Sequence, residues 1–515
     1  MAQQVGRSNG APFAEPLLQR ASTDAVTSAS TTSLDSVGSD PSPNRHRHRK
    51  HSPVLAPATH DDSLLGPLQQ PYIGLASVIA IEFFNVSGGP WGSEDVFSYG
   101  GPLVGTAAII GFAVCFSLPQ CLVTAELCCA YPSNGGYAVW VREAFGDFWA
   151  FQEVYWQWVS GVVDAAVYPV LVTDSALELL GWNDMSRDQL WMVRMLAVLL
   201  LSTPAFASIN KVPSMLITLA VATGVPLAAF IARGLFDVRP KVWLQVQQKS
   251  LNYGGLINVV FWNLEGWDCI ATCSALIQEP REKVIPFGLF TALLLASVQY
   301  IVILLVAAGV SDGKHPWNDW NDGSLPTIAD SISPWVGVLF MLASLFGNAG
   351  QYLSEFMEDS FALQGAAEIG IVPRIFAKQL PESGLPYMAN LAQFGVISLL
   401  VAFDFSQILV FDNFFTGSAV ALQFLAFFTL RWQQPALTRP YKAPSYLLPL
   451  FIPGLGLLAV MLHHCLVKAG NASLLNLLAF IIGIPYGLWV SRRSAPTEEN
   501  GHRSMLDELL EADEL

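Results

Sequence analysis

Asn85-Val86-Ser87-Gly88-Gly89-Pro90-Trp91-Gly92 interrupts an apolar run that begins at Pro71. Asn263-Leu264-Glu265-Gly266-Trp267-Asp268 interrupts a second run, which starts at Leu256 and resumes at Cys269. Inside a hydrocarbon layer there is no water to satisfy free N–H and C=O groups. Unwound backbone is tolerated there only where it is buried in protein or lines a cavity. The two breaks are five spans apart, and matched interruptions in two halves of a bundle mark the substrate site of a secondary transporter.

Composition fixes the setting. The chain has 515 residues, of which 52% are hydrophobic and 13% charged, against about 25% charged in soluble domains. Apolar runs long enough to cross a bilayer core fall at 71–98, 101–129, 147–176, 188–207, 213–234, 255–277, 286–310, 332–362, 387–403, 406–430, 446–468 and 473–490. The fold class expected is an all-α membrane protein with twelve transmembrane helices, the first and sixth broken.

Residues 1–65 are rich in Ser, Thr, Pro and Ala and read as a disordered cytoplasmic tail without a cleavable signal peptide. Its basic cluster is topogenic, holding the N-terminus inside. An alternative is contact with anionic lipid through Arg45, Arg47, Arg49 and Lys50, at about 1 kcal/mol per cation. Residues 66–492 form the transporter domain and 493–515 an acidic cytoplasmic tail. Cations such as Arg142, Arg281, Arg374, Arg431 and Arg439 fall on the inner segments, whereas the outer loop near 311–330 is acidic. Both termini are expected in the cytoplasm, with the plasma membrane as the setting.

Carboxylates within spans are costly, by about 2.5–3.5 kcal/mol at a helix centre, and are functional candidates by default. They are Glu82, Glu94, Asp164, Asp174, Glu265, Asp268, Glu355, Asp359 and Asp412, against Arg194 and Arg233 as internal cations. The missing positive charge points to a cationic substrate or to protons. Glu265 sits inside the sixth break as the leading ligand. Asp268 is either a ligand or the cap of the resumed half-helix. Glu82 lies near mid-span, and Glu94 follows the first break as ligand or cap. Ser160, Asp164 and Tyr168 share one helix face. Asp412 and Asn413 open the tenth span among phenylalanines. Trp91 and Trp267 lie in the breaks, where an indole face attracts a cation by about 0.5–2 kcal/mol. Glu355, Glu358 and Asp359 are expected at a solvated inner mouth rather than on substrate.

The Ser87, Gly88 and Gly89 amides read as a half-helix start that would suit an amino acid's carboxylate, although Glu265 would repel that group. Nucleotide-loop, zinc-helix and Ser/His/Asp motifs are not evident, so neither an enzyme nor a nucleic-acid partner is expected.

Across about residues 70–490 the chain resembles the amino acid–polyamine–organocation superfamily, most closely its eukaryotic polyamine uptake transporters, near the L-type amino-acid transporters. The resemblance rests on Val86-Ser87-Gly88-Gly89-Pro90-Trp91-Gly92 with Glu94, Thr124-Ala125-Glu126, Tyr131-Pro132-Ser133-Asn134-Gly135-Gly136-Tyr137, and Trp158-Val159-Ser160-Gly161-Val162-Val163-Asp164. It continues in Phe261-Trp262-Asn263, Trp267-Asp268, Asp412-Asn413-Phe414 and Arg439-Pro440-Tyr441-Lys442-Ala443-Pro444. It implies a five-plus-five inverted repeat with two extra helices, alternating access, and import of putrescine or spermidine with protons and no other cofactor. This chain has Asn85 where the family tends to Glu, Glu265-Gly266 where it tends to Asn-Tyr, and Gln423 where an acid is expected. An amino-acid transporter or exchanger, or a non-transporting nutrient sensor, are the competing functions.

Overall fold

The computed structural model describes residues 71–494 except 183–184, 248–251, 312–314, 322, 382 and 403–407. The basic cluster at Arg45, Arg47, Arg49 and Lys50 and the acidic tail beyond residue 494 lie outside the described residues. Within them the chain is helical. In order come α1 (Leu75–Val86), α2 (Glu94–Phe112), α3 (Leu118–Ala130), α4 (Gly136–Phe145), α5 (Asp147–Ala165), α6 (Val167–Leu180), α7 (Arg187–Ser208) and α8 (Val212–Gly234). Then come α9 (Tyr253–Leu264), α10 (Arg281–Val310), α11 (Ser324–Ile332), α12 (Pro334–Glu368), α13 (Tyr387–Leu400), α14 (Ile408–Gln433), α15 (Phe451–His463) and α16 (Asn471–Ser494).

Among the described residues, 7 continuous helical stretches are long and apolar enough to cross a membrane. The rest of the apolar sequence is interrupted. α1 and α13 are apolar but short. The run expected at 147–176 is divided between α5 and α6 at Ala166.

The first break arises from its glycines and proline. α1 ends at Val86, and Gly88 adopts φ +53°, a conformation that L side chains rarely reach. Pro90 has no N–H to offer a continuing helix. Helix resumes at Glu94 and kinks once more at Gly101-Pro102. The sixth break has the same cause in Gly266, at φ +96°. Beyond it the chain resumes not as an α-helix but as a 3-10 segment, Cys269–Leu276. The two broken elements meet at one end through a parallel bridge between Ile73 and Ile277.

α12 is the longest element, at 35 residues, or roughly 50 Å at 1.5 Å per residue. Its glycines let it approach α1 closely. A Cβ at Gly347 would lie 2.4 Å from the Gly88 carbonyl oxygen, and one at Gly350 would lie 2.2 Å from the Phe84 ring. The Ser354 hydroxyl then donates to the Ile81 carbonyl at 3.2 Å. Small residues that let backbones meet are the usual device where both helices face lipid-like surroundings.

Elsewhere a buried charge is balanced locally. Glu126 is fully buried and takes the Arg431 guanidinium, the Arg439 Nε at 3.0 Å and the Ala443 N–H at 2.8 Å. A buried carboxylate persists only with such partners. This cluster ties α3 to α14 and to the segment just after it.

Candidate functional site

The two breaks open onto one cavity of about 460 Å³. Seven carboxyl side chains line it: Asp164, Glu265, Asp268, Glu355, Glu358, Asp359 and Asp412. No Lys, Arg or His is among its described lining residues. The two span cations are engaged elsewhere, Arg194 with Asp174 at 3.5 Å and Arg233 with Asp237 at 2.5 Å. A smaller cavity of about 280 Å³ shares Asn85, Asp164 and Glu265 with the first and is otherwise more aromatic, with Trp91, Trp262, Tyr168 and Tyr300.

The helix ends add to this electrostatic pattern. Asn85 and Val86, the last residues of α1, and Glu265, which caps the C-terminal end of α9, all stand on the cavity walls. A helix C-terminus carries roughly half a negative charge. Two such ends and seven carboxyl groups therefore converge on the same space.

The amides of the first break are not presented as the sequence suggests. The Ser87 and Gly88 N–H groups both donate to the Phe83 carbonyl, at 2.9 Å each. They close the end of α1 instead of opening a half-helix, so these two are unavailable to a substrate carboxylate. The Ser87 hydroxyl donates to Gly89 O at 3.1 Å and accepts from Gln299 at 3.1 Å. Ser87, Gly88 and Gly89 are absent from the described lining of both cavities.

Other expected residues divide into wall and frame. Asp164, Glu265, Asp268 and Asp412 are on the main wall, while Trp91 and Tyr168 line the smaller cavity. Glu265 Oε2 has no hydrogen-bond partner among the described residues. Asp412 accepts from Thr416 at 3.2 Å. Asp268 is not the side-chain cap of the resumed segment. It accepts from three amides instead: Gln120 at 2.9 Å, Gln423 at 2.5 Å, and Gln157. The Gln423 amide also donates to Glu153 at 2.8 Å, so it bridges two buried carboxyls.

The cap at the resumed segment comes from Glu82, whose Oε1 accepts from Ile270 N–H at 3.0 Å. Glu82 is fully buried and stands off both cavity walls. Glu94 likewise faces away, accepting from Gly323 N–H at 3.2 Å. Trp267 is buried with its indole N–H on Leu264 O at 2.8 Å. Asn413 donates to Asn258 and fixes α14 against α9. These four residues frame the site.

Glu355, Glu358 and Asp359 are not at a solvated mouth. All three are buried and on the main wall. α12 runs on to Glu368, beyond the expected end near residue 362, and this sets the acids deeper than the sequence suggests. Gly161 on α5 leaves room for Asp359, since a Cβ there would lie 2.4 Å from its Oδ1. Gln393 donates to the other oxygen of Asp359 at 2.8 Å. The signal available in sequence was Gly347, Gly350 and Ser354, which mark the face of α12 that packs on α1.

Comparison with known proteins gives the family. Residues 72–485 match the amino acid permease family. A probable polyamine transporter of Arabidopsis thaliana is 34% identical over 75% of this chain and 80% of its own length. Polyamine transporter RMV1 of Arabidopsis thaliana is 31% identical over 89% of this chain and 94% of its own. Polyamine transporter PUT1 of Oryza sativa subsp. japonica is 33% identical over 78% of this chain and 76% of its own.

Proposed function

Because this chain belongs to the amino acid permease family, and is a membrane transporter rather than an enzyme, we propose that it imports polyamines such as putrescine and spermidine together with protons. The observation that carries the reading is the main cavity, with seven carboxyl groups and no basic side chain among its described lining residues. A polyamine brings two or more ammonium groups on an apolar chain. One ammonium pairs with Glu265 and Asp412. The methylenes and the other ammonium lie toward Trp91, Trp262 and Tyr300, where cation–π attraction adds about 0.5–2 kcal/mol. The polyamine-transporter names of the relatives support the same substrate class.

The finer architecture belongs to this proposal. The helices of the described residues give twelve crossings when α2 is divided at Gly101, short helices are joined across the breaks, and α4 and α11 are left as connecting helices. The first ten form a five-plus-five inverted repeat, with two more helices after them. Substrate reaches the site by alternating access, with the breaks as the fixed point. Both termini face the cytoplasm and the membrane is the plasma membrane.

Proton coupling has a direct test. The purified protein in proteoliposomes should accumulate labelled putrescine when the outside is acidic, and a protonophore should collapse the accumulation. Membrane potential must be clamped, because each charge moving through 100 mV gains about 2.3 kcal/mol. Equal accumulation with and without the pH gradient overturns the coupling.

A further inference from the structure

Tyr168 on α6 stands between two carboxyl groups. Its phenol oxygen is 2.7 Å from Asp164 Oδ2 on α5 and 2.7 Å from Glu355 Oε1 on α12. Both are full hydrogen-bond distances for oxygen pairs. A phenol has one proton to donate, and an ionised carboxylate only accepts. Two ionised carboxylates would leave one of these contacts with no hydrogen in it, lone pair against lone pair. The arrangement is satisfied when one carboxyl group is protonated and donates to the phenol oxygen.

The remaining oxygens decide which one. Asp164 Oδ1 accepts from the Trp262 indole N–H at 3.1 Å, as a carboxylate would. Glu355 Oε2 is buried with no partner among the described residues, and the residue is 6% exposed. An ionised Glu355 would hold an unsolvated negative oxygen, whereas a neutral acid leaves only a weak acceptor there. The charged groups facing the pair are Glu358 and Asp359 on α12, Glu265 in the break, Asp268 and Asp412. All are acids, so an added positive charge is welcome and an added negative charge is not.

We infer that Glu355, bridged to Asp164 through the Tyr168 hydroxyl, is the binding site of the transported proton. In the loaded state the Glu355 O–H donates to the phenol oxygen and the phenol O–H donates to Asp164. On release the Glu355 O–H bond breaks, the proton passes to water, and the phenol's one proton can serve only one of the two carboxylates, so the other contact opens. Tyr168 keeps its own proton throughout. The inference rests on the proton-coupled reading above, and adds which side chain carries the proton.

The test uses proteoliposomes with an entrapped pH dye and labelled putrescine, and reads protons entering per putrescine entering. The wild type should show a fixed ratio, and Glu355→Gln, whose amide can donate to the phenol but not ionise, should lose the proton component. Proton entry at the wild-type ratio in Glu355→Gln overturns the assignment while leaving proton coupling intact. No proton entry in the wild type overturns the coupling itself, and this inference with it. If Glu355→Gln carries no putrescine, infrared titration of the purified protein decides. The variant should lack a carboxylic-acid C=O band that the wild type shows and Asp164→Asn retains; an unchanged spectrum contradicts the assignment.

Discussion

Glu265→Gln should raise the half-saturation concentration for putrescine roughly 10- to 100-fold while leaving the protein at the membrane. The Glu265 carboxyl group lies in the sixth break, on the walls of both cavities, with Oε2 unpartnered among the described residues. Unlike Asp268, it is not held by three glutamine amides, so its loss should spare the fold. A charge-assisted hydrogen bond contributes about 1.5–3 kcal/mol, and each 1.4 kcal/mol is a factor of about ten. Initial rates of labelled uptake against concentration, normalised to surface protein, measure the effect. An affinity within a factor of about two of wild type (under 0.5 kcal/mol) would remove Glu265 from the site.

Gly350→Leu should abolish the folded transporter. The contact between α12 and α1 has no room for a side chain, with the Phe84 ring 2.2 Å from where a Cβ would stand. Overpacking of this kind typically costs about 1–3 kcal/mol, and more where backbone must move. The same contact carries Glu355, Glu358 and Asp359 to the cavity, so helix displacement removes the site as well as stability. Size-exclusion chromatography of the detergent-extracted protein should show loss of the monodisperse peak. The double change Gly350→Leu/Phe84→Ala, which empties the ring's space, should recover part of it. A wild-type profile for the single variant would mean that the two helices are not in close contact.

The sequence made some of this legible and withheld the rest for physical reasons. The breaks were visible because Gly88-Gly89-Pro90 in one, and Gly266 between two acids in the other, cluster helix-disfavouring and polar residues inside otherwise apolar runs. Glu265, Asp268 and Asp412 could be placed near one another because they lie in or beside spans that had to converge. The partners of Asp268 were not visible: Gln120, Gln157 and Gln423 come from three helices and carry no mark as its donors. Glu82 was read as a possible ligand because an acid at mid-span looks functional. Its actual partner, the Ile270 amide, is 188 residues away. Gln423, at a position where an acid was expected, is a donor that holds two buried acids together. The Ser87 and Gly88 amides were misread for a directional reason. A glycine-rich break looks the same from either end in sequence, and only the fold tells that these residues finish α1 rather than begin the next helix.

The direction of these amides bears on substrate choice. An amino acid brings an α-carboxylate, which would enter a cavity already lined with acids and helix C-termini, with two of the nearby amides spent on Phe83. A polyamine brings only positive charge. Half-helix ends contribute about 0.3–2 kcal/mol per favourable charge, and here that contribution opposes the anion and favours the cation. Arginine, with a guanidinium and a carboxylate, should fall between the two.

The most direct test of a polyamine site is inhibition of labelled putrescine uptake by excess unlabelled compounds, measured on the purified protein in proteoliposomes. Spermidine and putrescine should abolish the signal, arginine should reduce it in part, and leucine and glutamate should leave it unchanged. Inhibition by leucine equal to that by spermidine would contradict the polyamine site and make the carrier one for amino acids.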